Sequence, residues 1–347
     1  MKTLYIAITM LALATIAHGQ QIMEGATYYL PKSTVNIILQ IEKTTVSPGM
    51  LNEYAERFLK RTDVPSQSSE NWRLLNVQII PSAVPDTTKR FTARIDNKHN
   101  IQRLALAPDG IILAVNADAS LLAPRVPFRP APPQTLPSPH DYMNQDILAA
   151  GSRAKMAELV AQEIYDIRES RSMLAKGQAD FMPKDGEQLR LMMQSLDIQE
   201  AALMQVFTGT TTRDTTEVIL NYVPEKEESH VLFRFSSRFG LSDADDLSGE
   251  PYYLSVTDLH QITENAAVAE GKLPKDNAEI YVNLPGRIRI ELSHDNLTLT
   301  SCEMMATQFG RTESLDNELF GKKLFTQLVY HPLTGSIQHI NSEMVKK

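Results

Sequence analysis

The segment at residues 123–139, APRVPFRPAPPQTLPSP, carries seven prolines in seventeen positions. Proline fixes the backbone φ angle and has no N–H group to donate, so this segment can form neither a core helix nor a central β-strand. A proline-rich chain is extended and semi-rigid, and we therefore predict a linker that divides the chain into two parts. A second interpretation stays open, in which the segment binds the aromatic groove of a partner.

The part of the chain before the linker, residues 20–122, is predicted to be a β-rich domain with one helix. Apolar side chains alternate at Val35, Ile37, Leu39 and Ile41, which is typical of a half-buried strand. The stretch PGMLNEYAERFL has its apolar residues at helical spacing instead. Further strand-like runs follow, and the last two flank the turn signal APDG.

Residues 140–208, after the linker, are predicted to form an antiparallel hairpin of two helices, because apolar residues recur at intervals of three and four in two runs. The main apolar positions are Val160, Ile164, Ile167 and Leu174, followed by Leu189, Met193, Leu196, Leu203 and Phe207. Lys176 and Gly177 form a helix-stop signal, and Asp185 with Gln188 resembles a capping pair at the start of the second helix.

Each helical run also carries one charged residue, Arg171 in the first and Glu200 in the second. A hairpin that turns at the middle of its loop places Arg171 opposite about position 191 and Glu200 opposite about position 162. We therefore predict that these two side chains do not pair and that each lies at a solvated edge.

Residues 209–347 are predicted to be a second β-rich domain. Short alternating segments are separated by the turn signals LPGR, SHDN and HPLTG, a spacing that is typical of a sandwich or a barrel. The predicted fold class is α+β. It has two β-rich domains, the C-terminal one sandwich- or barrel-like, and an antiparallel helical hairpin after the proline-rich linker.

Residues 1–19 have the features of a secretory signal peptide. Lys2 precedes an apolar run, and Ala17 and Gly19 supply the small residues of a cleavage site. The apolar run is shorter than the about 20 residues that a membrane-spanning helix needs. No later segment is apolar enough to span a bilayer, so we predict an exported protein with no transmembrane span in the mature chain.

Charge and cysteine content argue against a nucleic-acid-binding protein and against an internal disulfide. A formal net charge of −8 argues against a nucleic-acid-binding protein, which needs a basic surface. The single cysteine, Cys302, cannot form an internal disulfide. Cys302 lies in the alternating stretch NLTLTSCEMM and is predicted to be a small buried apolar side chain. An intermolecular disulfide or a reactive thiol stays open.

Several segments resemble a known family. They are YYLPKSTVNIILQIEKT, EIYDIRESRSML, FMPKDGEQL, QVFTGTTTRDTTE, GLSDADDLSGEPYY, QFGR and HPLTGSI. Together they resemble an uncharacterised family of secreted proteins from Bacteroidetes, catalogued as a domain of unknown function. The resemblance covers essentially the whole mature chain. It implies a protein of the Gram-negative envelope, in the periplasm or at the outer membrane or cell surface, and it implies no catalytic residue.

The stretch GLSDADDLSGEPYY is the strongest candidate for chemistry, because Asp243, Asp245 and Asp246 fall within four positions. An EF-hand starting at Asp243 needs an acid, a glycine and a glutamate at positions 5, 6 and 12, where this chain has Leu247, Ser248 and Leu254. The motif therefore fails. Three interpretations stay open: aspartates that cap a turn, a looser calcium site, and a partner contact. Calcium is the only cofactor that the sequence suggests.

No catalytic motif stands out in the sequence. A nucleophile elbow, a histidine-glutamate zinc helix and a phosphate-binding loop are all missing, and Trp72 is the only tryptophan available to stack on a sugar. We therefore expect a non-catalytic binding or structural protein of the cell envelope. Its partner would be an envelope protein or a glycan. The alternative is a hydrolase acting on envelope or dietary polymers, with an active site that no motif marks.

Overall fold

The structure is a computed structural model that describes residues 25–119, 121–132, 135–180, 182–183, 185–260 and 279–345. The predicted signal peptide at residues 1–19 lies outside these ranges. The strands are β1 Gly25–Ser47, β2 Ser69–Arg94, β3 Leu104–Leu106, β4 Ile112–Val115, β5 Thr210–Tyr222, β6 Glu228–Ser236, β7 Gly240–Ser242, β8 Glu250–Asp258, β9 Tyr281–His294, β10 Leu297–Ser314, β11 Leu324–Tyr330 and β12 Ile337–Met344. The α-helices are α1 Ala55–Leu59, α2 Gln145–Leu148, α3 Arg153–Lys176 and α4 Gly186–Thr208.

Strand β1 lies at the centre of the fold. It pairs antiparallel with β2 along nearly its whole length and with β5 over residues 35–47. Val35, Ile37, Leu39 and Ile41 are all at most 2 % exposed, as their alternation predicts for one face of a strand. The described strands form three sheets, with the orders β2-β1-β5, β10-β9-β8-β6-β7 and β12-β11-β4-β3.

Two apolar cores hold these sheets together. The first core lies between the first two sheets and joins alternate residues of β1 to residues of β6, β8, β9 and β10, including Phe233 and Ile290. The second core joins the start of β1 to the third sheet through Tyr28, Ile112 and Tyr330. Because β1 is longer than one core is wide, a single strand contributes to both.

The α+β class is confirmed, with strands in the majority and one helical pair. The segments at 20–122 and 209–347 share sheets and cores, because β1 pairs with β5 and β4 pairs with β11. Alternation indicates which face of a strand is buried, but it does not indicate which strand lies beside it. The sequence pattern therefore gave no sign that strands from the two ends of the chain are neighbours.

The helical hairpin forms as predicted, from α3 and α4. Ser152 caps α3 by accepting the N–H of Lys155, and Asp185 caps α4 by accepting the N–H of Gln188 at 2.7 Å. Helix α3 ends at Gly177, whose φ of 69° lies in the left-handed region that favours glycine. In the described ranges no helix, these two included, is both long and apolar enough to cross a membrane.

A third, small apolar core packs the hairpin against α1 and the residues beside it. The N–H of Leu51 donates to the carbonyl of Val206 at 2.8 Å, which fastens the segment after β1 to the end of α4. Ser47 at the end of β1 pairs with Thr210 at the start of β5. The hairpin therefore stands at one end of the first sheet.

The prediction that Arg171 and Glu200 stay apart is wrong. The guanidinium of Arg171 lies 2.8 Å from the carboxylate of Glu200, whose side chain is only 13 % exposed. Arg168 contacts the same carboxylate at 2.6 Å, and Arg171 also reaches Asp197 at 2.8 Å. The two helices are therefore offset along their axes by about two turns relative to a symmetrical hairpin, which brings these charges together.

The proline-rich segment is extended in its described part and lies beside β5 and α4. Arg125 makes a two-pronged ion pair with Glu217 of β5, with N–O distances of 2.7 and 2.5 Å, and the Glu217 side chain is 9 % exposed. Further along, the carbonyl of Pro137 accepts a hydrogen bond from the side chain of Gln205 in α4 at 3.1 Å. The segment thus connects the sheet to the hairpin through specific contacts.

A buried asparagine, Asn283 of β9, joins its own strand to three other segments of the chain. Its amide nitrogen donates to the carbonyls of Pro31 at 3.2 Å and Thr334 at 3.0 Å. Its amide oxygen accepts from the hydroxyl of Thr312 at 2.8 Å, and its backbone N–H donates to the carbonyl of Gly335 at 3.0 Å. Asn283 itself is fully buried, so these bonds satisfy groups that water does not reach.

Replacing Asn283 with alanine is expected to lower the free energy of unfolding by about 3 kcal/mol, because two buried carbonyls and a hydroxyl lose a partner. Urea unfolding monitored by circular dichroism measures this change. The matched control is Asn76→Ala, an exposed asparagine of β2, whose effect should stay within about 0.5 kcal/mol. Equal effects of the two substitutions would contradict the junction role.

Candidate functional site

The acidic stretch forms β7, a short loop and the start of β8, and the loop holds Asp243, Asp245 and Asp246 with all three exposed. The N–H of Asp246 donates to the carbonyl of Asp243 at 3.1 Å, which closes a turn. The Asp246 carboxylate accepts the N–H of Ser248 at 2.9 Å, and this backbone bond holds the pKa of Asp246 below its usual value. This geometry is that of an aspartate capping a turn.

An arginine occupies the inside of this loop. Nε of Arg234 donates to the carbonyl of Ala244 at 2.8 Å, and one terminal nitrogen donates to the carbonyl of Gly249 at 3.1 Å. Calcium sites of the looser kind depend on backbone carbonyls as well as carboxylates. Two carbonyls of this loop already face a cation that belongs to the protein.

Metal ligands do not converge in the described ranges, the acidic loop included, since no three His, Cys, Asp or Glu side chains there form a group that could hold a metal ion. The three aspartates lie in one loop, as their spacing requires. Their binding of calcium stays a prediction, for which a measurement is given below.

A cleft of about 610 Å³ opens beside the loop, between β2, β6 and β8. Its lining combines aromatic, hydroxyl and charged groups, namely Trp72, Arg73, Leu74, Phe235, Ser236, Ser237, Leu247, Ser248, Gly249, Glu250 and Tyr252. The backbone N–H of Trp72 donates to the carbonyl of Ser237 at 2.7 Å, and the Trp72 ring lies against Gly240. A Cβ at Gly240 would approach the ring to 3.0 Å, so the close approach requires glycine.

Beside this cleft, two carboxylates surround one histidine. Nε2 of His294 lies 3.2 Å from Glu250 and 3.4 Å from Asp295, and Nδ1 donates to the carbonyl of Pro251 at 3.1 Å. The ring of His294 stacks on Tyr252 with a centroid distance of 4.3 Å. Burial raises the pKa of Tyr252, and the nearby carboxylates add to that effect. Sequence patterns could not indicate this cluster, because Glu250 begins β8 whereas His294 ends β9.

Two carboxyl groups whose pKa values are lowered by ion pairs lie away from the cleft. A hydrogen bond from Arg125 lowers the pKa of Glu217, and one from Arg289 lowers the pKa of Glu303. A glycosidase acid needs the opposite shift, a raised pKa produced by burial. Glu217 and Glu303 are therefore partners in structural ion pairs and not candidates for a catalytic acid.

Cys302 of β10 is partly buried and packs against the first core. Burial raises the pKa of its thiol, and Glu303 adds to the effect. The thiol is therefore the protonated, weakly reactive form at neutral pH. The prediction of a buried side chain is met only in part, because Cys302 lies at the margin of the core.

Strand β12 is a free sheet edge, which the sequence did not predict. It pairs only with β11 among the described strands, and all of its residues are exposed. Ile340 and Met344 are 41 % and 83 % exposed. An unpaired edge with exposed apolar side chains is a template for pairing with another strand.

A second apolar surface lies on the hairpin. A groove of about 590 Å³ runs between the proline-rich segment, at Leu136 and Pro137, and the face of α4 that carries Ile198 and Ala201. Ile198 is 39 % exposed. This groove is shallow and part of its wall is the protein's own proline-rich segment, so β12 offers the more open contact surface.

Comparison with known proteins identifies one family. The model of the family described as Domain of unknown function (DUF4831) matches residues 24–338. No curated protein and no solved structure matches the chain.

Calcium is expected to leave the unfolding temperature of the mature protein unchanged, because Arg234 already contacts carbonyls of the acidic loop. Thermal unfolding with millimolar calcium and with a chelator measures this, since a ligand that binds only the folded state must raise the midpoint. The calcium site would instead be established if calcium raised the unfolding temperature and Asp246→Asn abolished this rise. The control Asp214→Asn, which changes an exposed aspartate of β5, should then leave the rise intact.

Proposed function

The chain belongs to this family of unknown function, and we propose that the protein is an exported, non-catalytic binding protein of the Gram-negative cell envelope. We place it in the periplasm or at the outer membrane or cell surface. The observation that carries the proposal is the free edge of β12, an exposed strand at the end of a four-stranded sheet. The predicted signal peptide at residues 1–19 supports export.

Of the two predicted partners, this edge favours a polypeptide over a glycan. A sheet edge presents N–H and C=O groups at the spacing of another strand's backbone, and main-chain hydrogen bonds supply the affinity. A glycan would be expected on an open aromatic face. The Trp72 ring instead contacts the backbone of Gly240 and has Nζ of Lys43 at 5.2 Å from its centre.

The alternative, a hydrolase acting on envelope or dietary polymers, would use Glu250 and Asp295. Both contact His294 and so lie near each other, as glycoside hydrolysis requires of two carboxyl groups. However, their side chains are 74 % and 79 % exposed, whereas a general acid depends on burial to stay protonated. Polymer hydrolysis by the purified protein, lost in Glu250→Gln, would replace the binding proposal with this one.

Export predicts a defined mature N-terminus. Cleavage after Gly19 is expected, so the protein recovered from its native host should begin at Gln20. Intact-mass spectrometry of the envelope fraction measures this. Recovery of the full-length chain from the cytoplasm would contradict the envelope location.

Binding at the edge is tested with a photo-reactive amino acid in place of Ile340, in the full-length protein in its native host. Illumination is expected to yield a covalent adduct that is heavier than the protein alone. The matched control places the same group at Ile219 of β5, which is 47 % exposed, and should yield no heavier adduct. The same lack of an adduct at Ile340 would contradict the proposed function.

A further inference from the structure

We propose that β12 pairs antiparallel with β12 of a second copy of this chain, so that two four-stranded sheets become one continuous sheet. This inference rests on the proposed function, because it names the occupant of the same edge. Three features of β12 support this pairing: its unprotected edge, its exposed apolar side chains and the match between opposite side chains of two copies.

The edge of β12 lacks the protection that the two edges of the first sheet, β2 and β5, have. Strand β2 carries Pro81 and Pro85, and β5 lies beside the proline-rich segment, held there by Arg125 and Glu217. Proline, lysine and a covering segment are common means of blocking an edge. Within Ile337–Met344 there is no proline and no lysine. A register shift near its start leaves a regular edge from about residue 339 to 344, about 20 Å long.

Side chains in the middle of the inner face of β11 are buried, whereas those on the same face of the neighbouring strand β12 are exposed. Ile340 lies opposite Leu328 of β11, and Ser342 lies opposite Thr326. Leu328 and Thr326 are fully buried, whereas Ile340 is 41 % and Met344 is 83 % exposed. A further strand beside β12 would contact these apolar side chains on the open side of the sheet.

Two β12 strands can pair antiparallel with Asn341 at the centre, and their opposite side chains then have complementary chemistry. In an antiparallel pair with Asn341 opposite its own counterpart, His339 falls opposite Glu343 of the second copy, and the reverse pair forms as well. These residues share one face of the strand, because their numbers differ by two and four. A basic and an acidic side chain therefore meet twice in one dimer, and the two asparagine amides meet at its axis. A strand from an unrelated protein would require no such fit.

The mature full-length protein is to be studied by analytical ultracentrifugation over a range of concentrations. The wild type is expected to change from one to two copies as concentration rises. Ile340→Lys should stay a single copy, because a charge on the inner face of an edge blocks pairing. The control Ile219→Lys, an isoleucine of similar exposure on β5, should dimerise like the wild type. An unchanged circular dichroism spectrum verifies that each variant is folded.

A charge exchange tests the register. His339→Glu places like charges opposite each other twice and should weaken the dimer about tenfold. Adding Glu343→Lys to this variant creates two opposite-charge pairs and should return dimerisation to near the wild-type level. Failure of the second substitution to restore the dimer would overturn this register.

Two further results would overturn the pairing itself: a wild type that remains a single copy at every concentration, or a dimer that survives Ile340→Lys. The photo-reactive probe at Ile340 separates this failure from failure of the proposed function. An adduct that contains a different protein would overturn self-pairing and leave the binding function in place. An adduct of two copies supports both, and no adduct contradicts both.

Discussion

The side-chain amide of Asn283 meets four chain segments at one buried point, and the arrangement of the sheets depends on it. Strand β1 must leave the first core and enter the second, and there its carbonyl at Pro31 faces the protein interior. Asn283 supplies the donor for that carbonyl and for the one at Thr334. Close by, the buried Ser33 and Thr307 exchange side-chain to backbone hydrogen bonds at 3.1 Å. These bonds let sheets with different strand directions meet without unpaired buried groups.

Two of the segments that resemble the family meet at this junction. YYLPKST contains Pro31 and Ser33, and HPLTGSI contains Thr334 and Gly335. Gly335 has a φ of 66°, and a Cβ there would lie 2.7 Å from Cδ of Pro31, so only glycine fits. In these two segments the family resemblance therefore includes residues that fix the geometry of the chain.

Local features of the fold were predictable, and long-range pairing was not. The helix caps at Ser152 and Asp185 depend on neighbouring residues, and so does the turn at Asp295 and Asn296, whose φ angles are 48° and 62°. The strand partners of β1, and likewise the contact between Arg171 and Glu200, depend on how elements far apart in the sequence pack together. The same limit applies to the site. The acidic loop could be located from its spacing, but Arg234 inside it and His294 beside the cleft come from other strands.

The exposure of β12 keeps its side chains out of the two cores. Since every residue of β12 is exposed, the strand contributes little apolar burial to either core, and most stability must come from β1 and its neighbours. Its side chains are therefore free to suit a partner without a loss of core packing. Strand β11 behind it is anchored by Leu328 and Tyr330 in the second core, which holds the edge in an extended form before any partner arrives. Two copies that pair through β12 then lose less conformational freedom, because the strand is already extended in each of them.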